Sequence, residues 1–305
     1  MASDLRIGVD VGGTKIEAAV LNATGDIVER HRISAPAAYE PTLDALASIV
    51  AEMESRVGGR CTLGFGIPGT ISPATGLVKN AHNSPFNGYP LDRDLEQKLG
   101  RPLRMMNDAN CFALSEAVDG NASGAKVVFG VIVGTGCGGG IIIDGRPLTG
   151  ANAIGGEWGH NPLPWPHMDE LPGHLCTCGK NGCIETFLSG TGFAAHHNTL
   201  FGTKLKAHEI AERAIAGDAD AESSLTRYED RLARALASVI NLLDPDIIVL
   251  GGGMSNVERL YVNVPRLWDA WVFSDRVVTK FVPPRFGDSS GVRGAAWLWP
   301  AGAAP

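Results

Sequence analysis

Two segments of this chain share one layout. IGVDVGGTKIEAAV at 7–20 and VVFGVIVGTGCGGGIII at 127–143 each run as apolar strand, glycine-rich turn, apolar strand. A strand–turn–strand unit that recurs in both halves predicts a duplicated α/β architecture, because each hairpin needs its own sheet and its own covering helices. Length agrees. At 305 residues the chain is too long for one comfortable core, so two domains with a cleft between them are expected.

The rest of the chain fills in around those segments. LRIGVD at 5–10, IEAAVL at 16–21 and DIVERHRI at 26–33 read as an antiparallel meander. PTLDALASIVAEMESRV at 41–57 has helical spacing, TLGFGI at 62–67 reads as a buried strand, and LDRDLEQKLG at 91–100 as a short helix. PLRMMN then leads into the helix ANCFALSEA. Residues 150–190, rich in Gly, Pro, His and Cys, read as an inserted functional loop, followed by helices at 207–216 and 218–243. DIIVLGGGMS at 246–255 reads as strand, turn and helix start, and SGVRGAAWLW at 290–299 as a terminal helix.

A net charge of -7 and a pI near 5.6 offer no field for nucleic acid or anionic lipid. No apolar run approaches the roughly 20 residues of a membrane span, and no basic segment with an apolar run opens the chain. These features predict a cytoplasmic protein with neither nucleic-acid nor membrane partners. In a reducing compartment the cluster CTCGKNGCIE at 176–185, with Cys176, Cys178 and Cys183, points to metal binding rather than disulfides. On local spacing alone, His174 is the candidate for a fourth ligand.

GTGCGG at 134–139 fits the dinucleotide pattern G-x-G-x-x-G, but a strand-like segment follows it where that fingerprint requires a helix. No G-x-x-x-x-G-K-[ST] run exists either. What remains is a pair of bare turns whose N–H groups, with the Thr14 and Thr135 hydroxyls, suit an anion gripped from two sides, such as a triphosphate. Asp10, beside the first turn, suits water-mediated Mg²⁺. GGG at 251–253 would let a flat base and ribose lie against backbone. Asp108, where a strand gives way to a helix, reads as either an N-cap or a general base toward a substrate hydroxyl. Asn107 both donates and accepts, which suits a polyol. Glu157, His160 and Glu185 could read further hydroxyls, or could equally be surface or salt-bridge groups.

In order, DVGGTK, GIPG, NDAN, GTGCGGG, E-W-G-H, CTCGKNGC-I-E and GGGMS resemble the ROK sugar kinases, across about Arg6 to Pro300. The resemblance implies an α/β fold of two ribonuclease-H-like, actin/hexokinase-type domains with an interdomain cleft. The small one would span 1–118 and be joined by a C-terminal helix at 290–305; the large one would span 119–289 and carry the zinc loop. It further implies ATP and Mg²⁺ at Gly8, Asp10, Gly12, Gly13, Thr14, Lys15, Gly134, Thr135, Gly136, Gly138, Gly252 and Gly253, and Asp108 as the catalytic base. A hexose would meet Gly69, Asn83, Asn107, Asp108, Glu157, His160 and Glu185. Zn²⁺, in a structural role, would be held by His160, Cys176, Cys178 and Cys183, so the family pattern prefers His160 to His174. A homodimer is also implied.

Within the family, TISPATGLVKNA, GHNPLPW, ETFLSGTGF and GDSSGVRGAAWLWP resemble bacterial fructokinases that also take mannose. The resulting expectation is ATP-dependent 6-phosphorylation of fructose, more slowly of mannose or glucose, with N-acetylglucosamine kinase or glucokinase as alternatives. Family members that act as sugar-responsive repressors carry a helix-turn-helix domain ahead of the first turn. Here the first strand begins at about residue 5, so a kinase is expected.

Overall fold

A computed structural model describes residues 5–82, 84–300 and 302–303. The elements begin with β1 (Arg6–Val11), β2 (Lys15–Leu21), β3 (Ile27–Ser34), α1 (Tyr39–Val57), β4 (Thr62–Ile67), β5 (Thr70–Ile71) and β6 (Val78–Lys79). Then come α2 (Leu91–Leu99), β7 (Arg104–Asn107), α3 (Asp108–Val118), β8 (Val127–Val133), β9 (Cys137–Ile143) and β10 (Arg146–Pro147). The chain continues through α4 (Ile184–Leu188), α5 (Gly190–Phe201), α6 (Ala207–Ile215), α7 (Ala219–Leu243), β11 (Ile247–Gly251), α8 (Leu260–Trp268), β12 (Lys280–Val282) and α9 (Ser290–Ala296). No described helix is long and apolar enough to cross a membrane.

The chain divides into two compact units: Met1–Ser123, Gly140–Gly155 and Asp288–Pro305 in the first, Gly124–Gly139 and Gly156–Gly287 in the second. One sheet has strand order β3-β2-β1-β4-β7, the other β10-β9-β8-β11-β12. In the first, β2 pairs antiparallel with β1 and β3, while β1, β4 and β7 run parallel. In the other, β8, β11 and β12 run parallel. The layout repeated around the two glycine turns is therefore a repeated strand order, and the expected two-sheet α/β fold is met.

Burial follows the sequence pattern. β1 is an inner strand and almost wholly buried along RIGVDV, whereas the edge strand β3 alternates half-buried and exposed residues along IVERHRIS. α1 buries Leu43, Leu46, Ile49, Val50 and Met53 at helical spacing and ends at Gly58, whose φ of 66° only glycine adopts cheaply. α9 packs backbone against backbone: a Cβ at Gly8 in β1 would fall 1.9 Å from the Val292 carbonyl oxygen, and one at Gly64 in β4 1.8 Å from that of Ala295. This helix stops at Ala296, short of the expected 299, because the following tryptophans have other partners. Trp299 donates Nε1–H to the Leu63 carbonyl at 2.6 Å, and the Arg104 guanidinium stacks on its ring.

Candidate active site

In the first unit, β1 runs out at Val11 and the turn 12–14 closes with the Gly12 amide donating to the Lys15 carbonyl at 2.9 Å. Gly13, Thr14 and Lys15 are exposed around it. Gly8 lies further back in the strand, where its bareness serves the contact with α9. Asp10 is packed beside Gly66 and Gly291, where an added Cβ would come 3.5 and 3.3 Å from its carboxylate oxygens. Burial, then the Asp108 and Glu17 carboxylates, push Asp10 up to about 7, against the pull of Lys15 and Arg32.

At the strand-to-helix junction the N-cap reading of Asp108 is not met. Asn107 is the N-cap of α3: its Oδ1 accepts from the amides of Ala109 and Asn110 at 3.0 and 3.4 Å. Its Nδ2 donates to the Gly69 carbonyl at 3.3 Å. Gly69 holds a φ of 71°, and a Cβ there would lie 2.3 Å from the Lys79 carbonyl oxygen, so only glycine fits. Asp108 is thus the first helical residue rather than the cap, with Oδ1 accepting from the Ala109 amide at 2.8 Å. Asn83 lies outside the described residues.

In the second unit the turn 134–136 joins β8 to β9, so the strand begins inside the glycine run and Gly138 is a strand residue. The Gly134 amide donates to the Gly136 carbonyl at 3.0 Å; among the described residues those of Thr135 and Gly136 have no hydrogen-bond acceptor. Three contacts hold this hairpin. The Glu185 Oε2 accepts from the Cys137 amide at 3.0 Å, the Gly190 amide donates to the Gly134 carbonyl at 2.8 Å, and Trp158 Nε1 donates to the Gly138 carbonyl at 3.0 Å. Trp158 opens the short 3-10 turn Trp158–His160, which half-buried Glu157 precedes.

That turn delivers His160 to the cysteine knuckle. One ligand atom from each of His160, Cys176, Cys178 and Cys183 lies within 4.8 Å of the others, the one such cluster among the described residues. His160 Nδ1 is 3.5 Å from Cys176 Sγ, and Cys178 Sγ is 3.5 Å from Cys183 Sγ, too far apart for a disulfide. Gly179 and Gly182, at φ of 84° and 73°, turn the chain so that the thiols converge. The Lys180 backbone amide lowers the Cys178 thiol to about 7. His174, favoured by spacing alone, packs its ring edge-on against His196 instead. The remaining Glu185 oxygen, Oε1, lies 3.7 Å from Cys176 Sγ.

Beside the turn is a cavity of about 810 Å³, lined by Thr135, Gly190, Ala194, Asn198, Lys206 and Gly253 among others. Gly252 needs its φ of 79° and its bareness, since a Cβ would sit 2.4 Å from the Val133 carbonyl oxygen. Gly253 opens onto the cavity with nothing within 4 Å of such an atom. The wall from α5 and α6 is not singled out by sequence reasoning. Its one signal is the run of small residues in SGTGFAA at 189–195, which keeps that wall low.

A family model described as the ROK family matches residues 6–301. The N-acetyl-D-glucosamine kinase of Photobacterium profundum is 40% identical over 296 residues, covering 95% of this chain and 98% of that protein. That of Vibrio cholerae is 39% identical over the same length and coverage. Among solved structures, the ROK hexokinase from Thermus thermophilus superposes with a TM-score of 0.85 at 31% identity, covering 96% of each chain. A ROK family glucokinase from Streptomyces griseus, solved with glucose and AMPPNP, gives 0.80 at 29% identity, covering 96% of this chain and 98% of that one.

Proposed function

Because the chain belongs to the ROK family and is an ATP-dependent sugar kinase of the actin/hexokinase-like fold, we propose that it phosphorylates a hexose at the 6-hydroxyl in the cytoplasm. The first unit supplies Asp108 as general base, which takes the proton of the sugar hydroxyl as that oxygen attacks the γ-phosphate. What carries this role is the capping of α3 by Asn107, which relieves Asp108 of the structural task that would otherwise explain it. Gly69 and Asn107 shape the sugar side of that junction, and Glu157, His160 and Glu185 read other hydroxyls.

The turns 12–14 and 134–136 hold the phosphates, with Thr14, Lys15 and Thr135 alongside, and Gly252 and Gly253 border the base and ribose. Mg²⁺ neutralises the triphosphate when bound, and Asp10, a carboxylate with acidic neighbours, is the residue that fits its water shell. The Cys₃His set fits zinc: sulfurs 3.5 Å apart match the ~3.8 Å edge of a tetrahedron with Zn–S near 2.3 Å. A closed set of this kind cross-links the loop and leaves no open coordination position. With Nδ1 of His160 on the cluster side, its sugar contact falls to Nε2. A homodimer belongs to the same proposal. Trp165, 46% exposed, stacks on Trp271 at 5.3 Å, and Phe273 is fully exposed, an apolar surface suited to a second copy.

Similarity over nearly the whole chain to N-acetyl-D-glucosamine kinases supports the acetylated sugar as substrate, and the expected preference for fructose finds no support among those relatives. Fructose or mannose stands as a second reading on TISPATGLVKNA, GHNPLPW, ETFLSGTGF and GDSSGVRGAAWLWP alone. A coupled assay of ADP release across N-acetylglucosamine, fructose, mannose and glucose separates them. The highest kcat/KM with the acetylated sugar supports the first reading, and the highest with fructose or mannose the second. No sugar-dependent ADP release with any of the four rejects the kinase reaction proposed here.

A further inference from the structure

We propose that Glu185 is a positioning residue for the nucleotide, holding the turn 134–136 in its phosphate-binding shape; this rests on the kinase reading. Its Oε2 accepts the Cys137 amide at 3.0 Å, directly after Thr135 and Gly136, whose amides have no acceptor among the described residues. Anions bind to N–H groups aimed in advance. The Glu185 bond fixes the first residue of β9, while the Gly190 amide fixes the Gly134 carbonyl on the other side of the turn at 2.8 Å.

The fit on the turn side is close. A Cβ at Gly136 would lie 2.9 Å from the same Oε2, so a side chain there would push the carboxylate off its position at the Cys137 amide. Glu185 is also the second residue of α4, which starts immediately after Cys183, so the knuckle that carries three of the clustered groups sets where this carboxylate stands. A group expected only to read a sugar hydroxyl thereby acts on the other substrate through the Cys137 amide.

The test is ADP affinity by titration calorimetry on the full-length protein with no sugar present, where a role confined to the sugar has no effect. Glu185→Ala is expected to weaken ADP about tenfold, the worth of one charge-assisted hydrogen bond. Glu185→Gln, whose amide oxygen still accepts from Cys137, is expected to stay within about twofold of wild type. Glu185→Asp keeps the charge, retracts the acceptor by one methylene and is expected to lose affinity as Ala does, which keeps the test open if the Ala variant does not fold. Combining Gly136→Ala with Glu185→Asp should cost no more than the worse single change, since both break one contact. Unchanged ADP affinity in Glu185→Asp, or additive losses in the double variant, overturns the proposal. Wild-type protein that binds no ADP overturns the kinase reading and this proposal with it.

Discussion

Asn107 donates Nδ2–H to the Gly69 carbonyl while its Oδ1 caps α3, so one side chain joins the β4–β5 turn to the helix that begins with Asp108. Asn107→Ala removes a cap and is expected to cost about 1 kcal/mol, while Gly69→Ala forces a Cβ into backbone at positive φ and is expected to cost more, about 2–3 kcal/mol. Urea unfolding at constant m-value checks both. Equal stability of Gly69→Ala and wild type would contradict the packing described at that turn.

Asp108→Asn keeps the size of the side chain and removes its ability to take a proton. Turnover should fall by at least about a hundredfold, while sugar affinity measured by calorimetry changes little. A variant that keeps near-normal turnover rules out Asp108 as the base.

The raised pKa of Asp10 makes stability depend on pH. The folded state favours the neutral acid, so between the ordinary value of 3.8 and about 7 it retains a proton that the unfolded chain has lost. Stability contributed by this group is therefore full at low pH, declines as pH rises through that window and is lost above it. Asp10→Asn should leave stability near pH 4 almost unchanged and raise it at pH 8, by up to a few kcal/mol. The same change should weaken binding of Mg²⁺·ATP. A thermal melting series from pH 4 to 8 without nucleotide measures the first effect, and the opposite slope would refute it.

Glu170 shows the reverse sign. Burial alone would raise its pKa, but hydrogen bonds from Arg234 and Arg231 outweigh this and hold it at about 2. Its contribution is present above the ordinary value of 4.5 and is lost as pH falls toward about 2. Arg234, 0% exposed, also donates to the carbonyls of Pro164 and Trp165, so this ion pair anchors the loop that precedes the knuckle. Glu170→Ala takes from buried Arg231 its carboxylate and leaves Arg234 with Asp230 and the two carbonyls, and is expected to cost about 3–5 kcal/mol. Denaturant titration at pH 7 tests this, and a cost under about 1 kcal/mol would show that the network does not anchor the loop.

If the knuckle holds zinc, purified protein contains one equivalent per chain. Cys178→Ser should lose most of it and His174→Ala none. Elemental analysis decides, and wild-type protein without stoichiometric metal removes zinc from the account.

The sequence made the repeated hairpins legible because strand, turn and strand are local, and the bare turns show as glycine. Local spacing also makes the cysteine knuckle legible but not its fourth member, which the family resemblance alone gives as His160. His160 is 16 residues from Cys176, and the tie between Trp158 and the Gly138 carbonyl together with the pairing of Pro162 and Cys183 brings it there. Local spacing therefore favoured His174. The same limit hid the cap: Asn107 and Asp108 are both good N-caps by residue type, and the choice is made by the distant Gly69 carbonyl. α4, α5, α8 and β12 are not read from the sequence: α4 and β12 are too short to carry a pattern, Gly190 and Gly192 weaken the opening of α5, and Pro265 interrupts the helical signal of α8.

The contact of α9 with Gly8 and Gly64 has a consequence during synthesis. Ribosomes deliver the chain from its amino end, so β1 and β4 emerge long before the helix whose backbone completes their packing. Until residues past 288 leave the exit tunnel, the nascent first unit presents a bare glycine-lined face. A messenger truncated before that point would yield a polypeptide that keeps the main core of the first unit but lacks the helix covering Gly8 and Gly64.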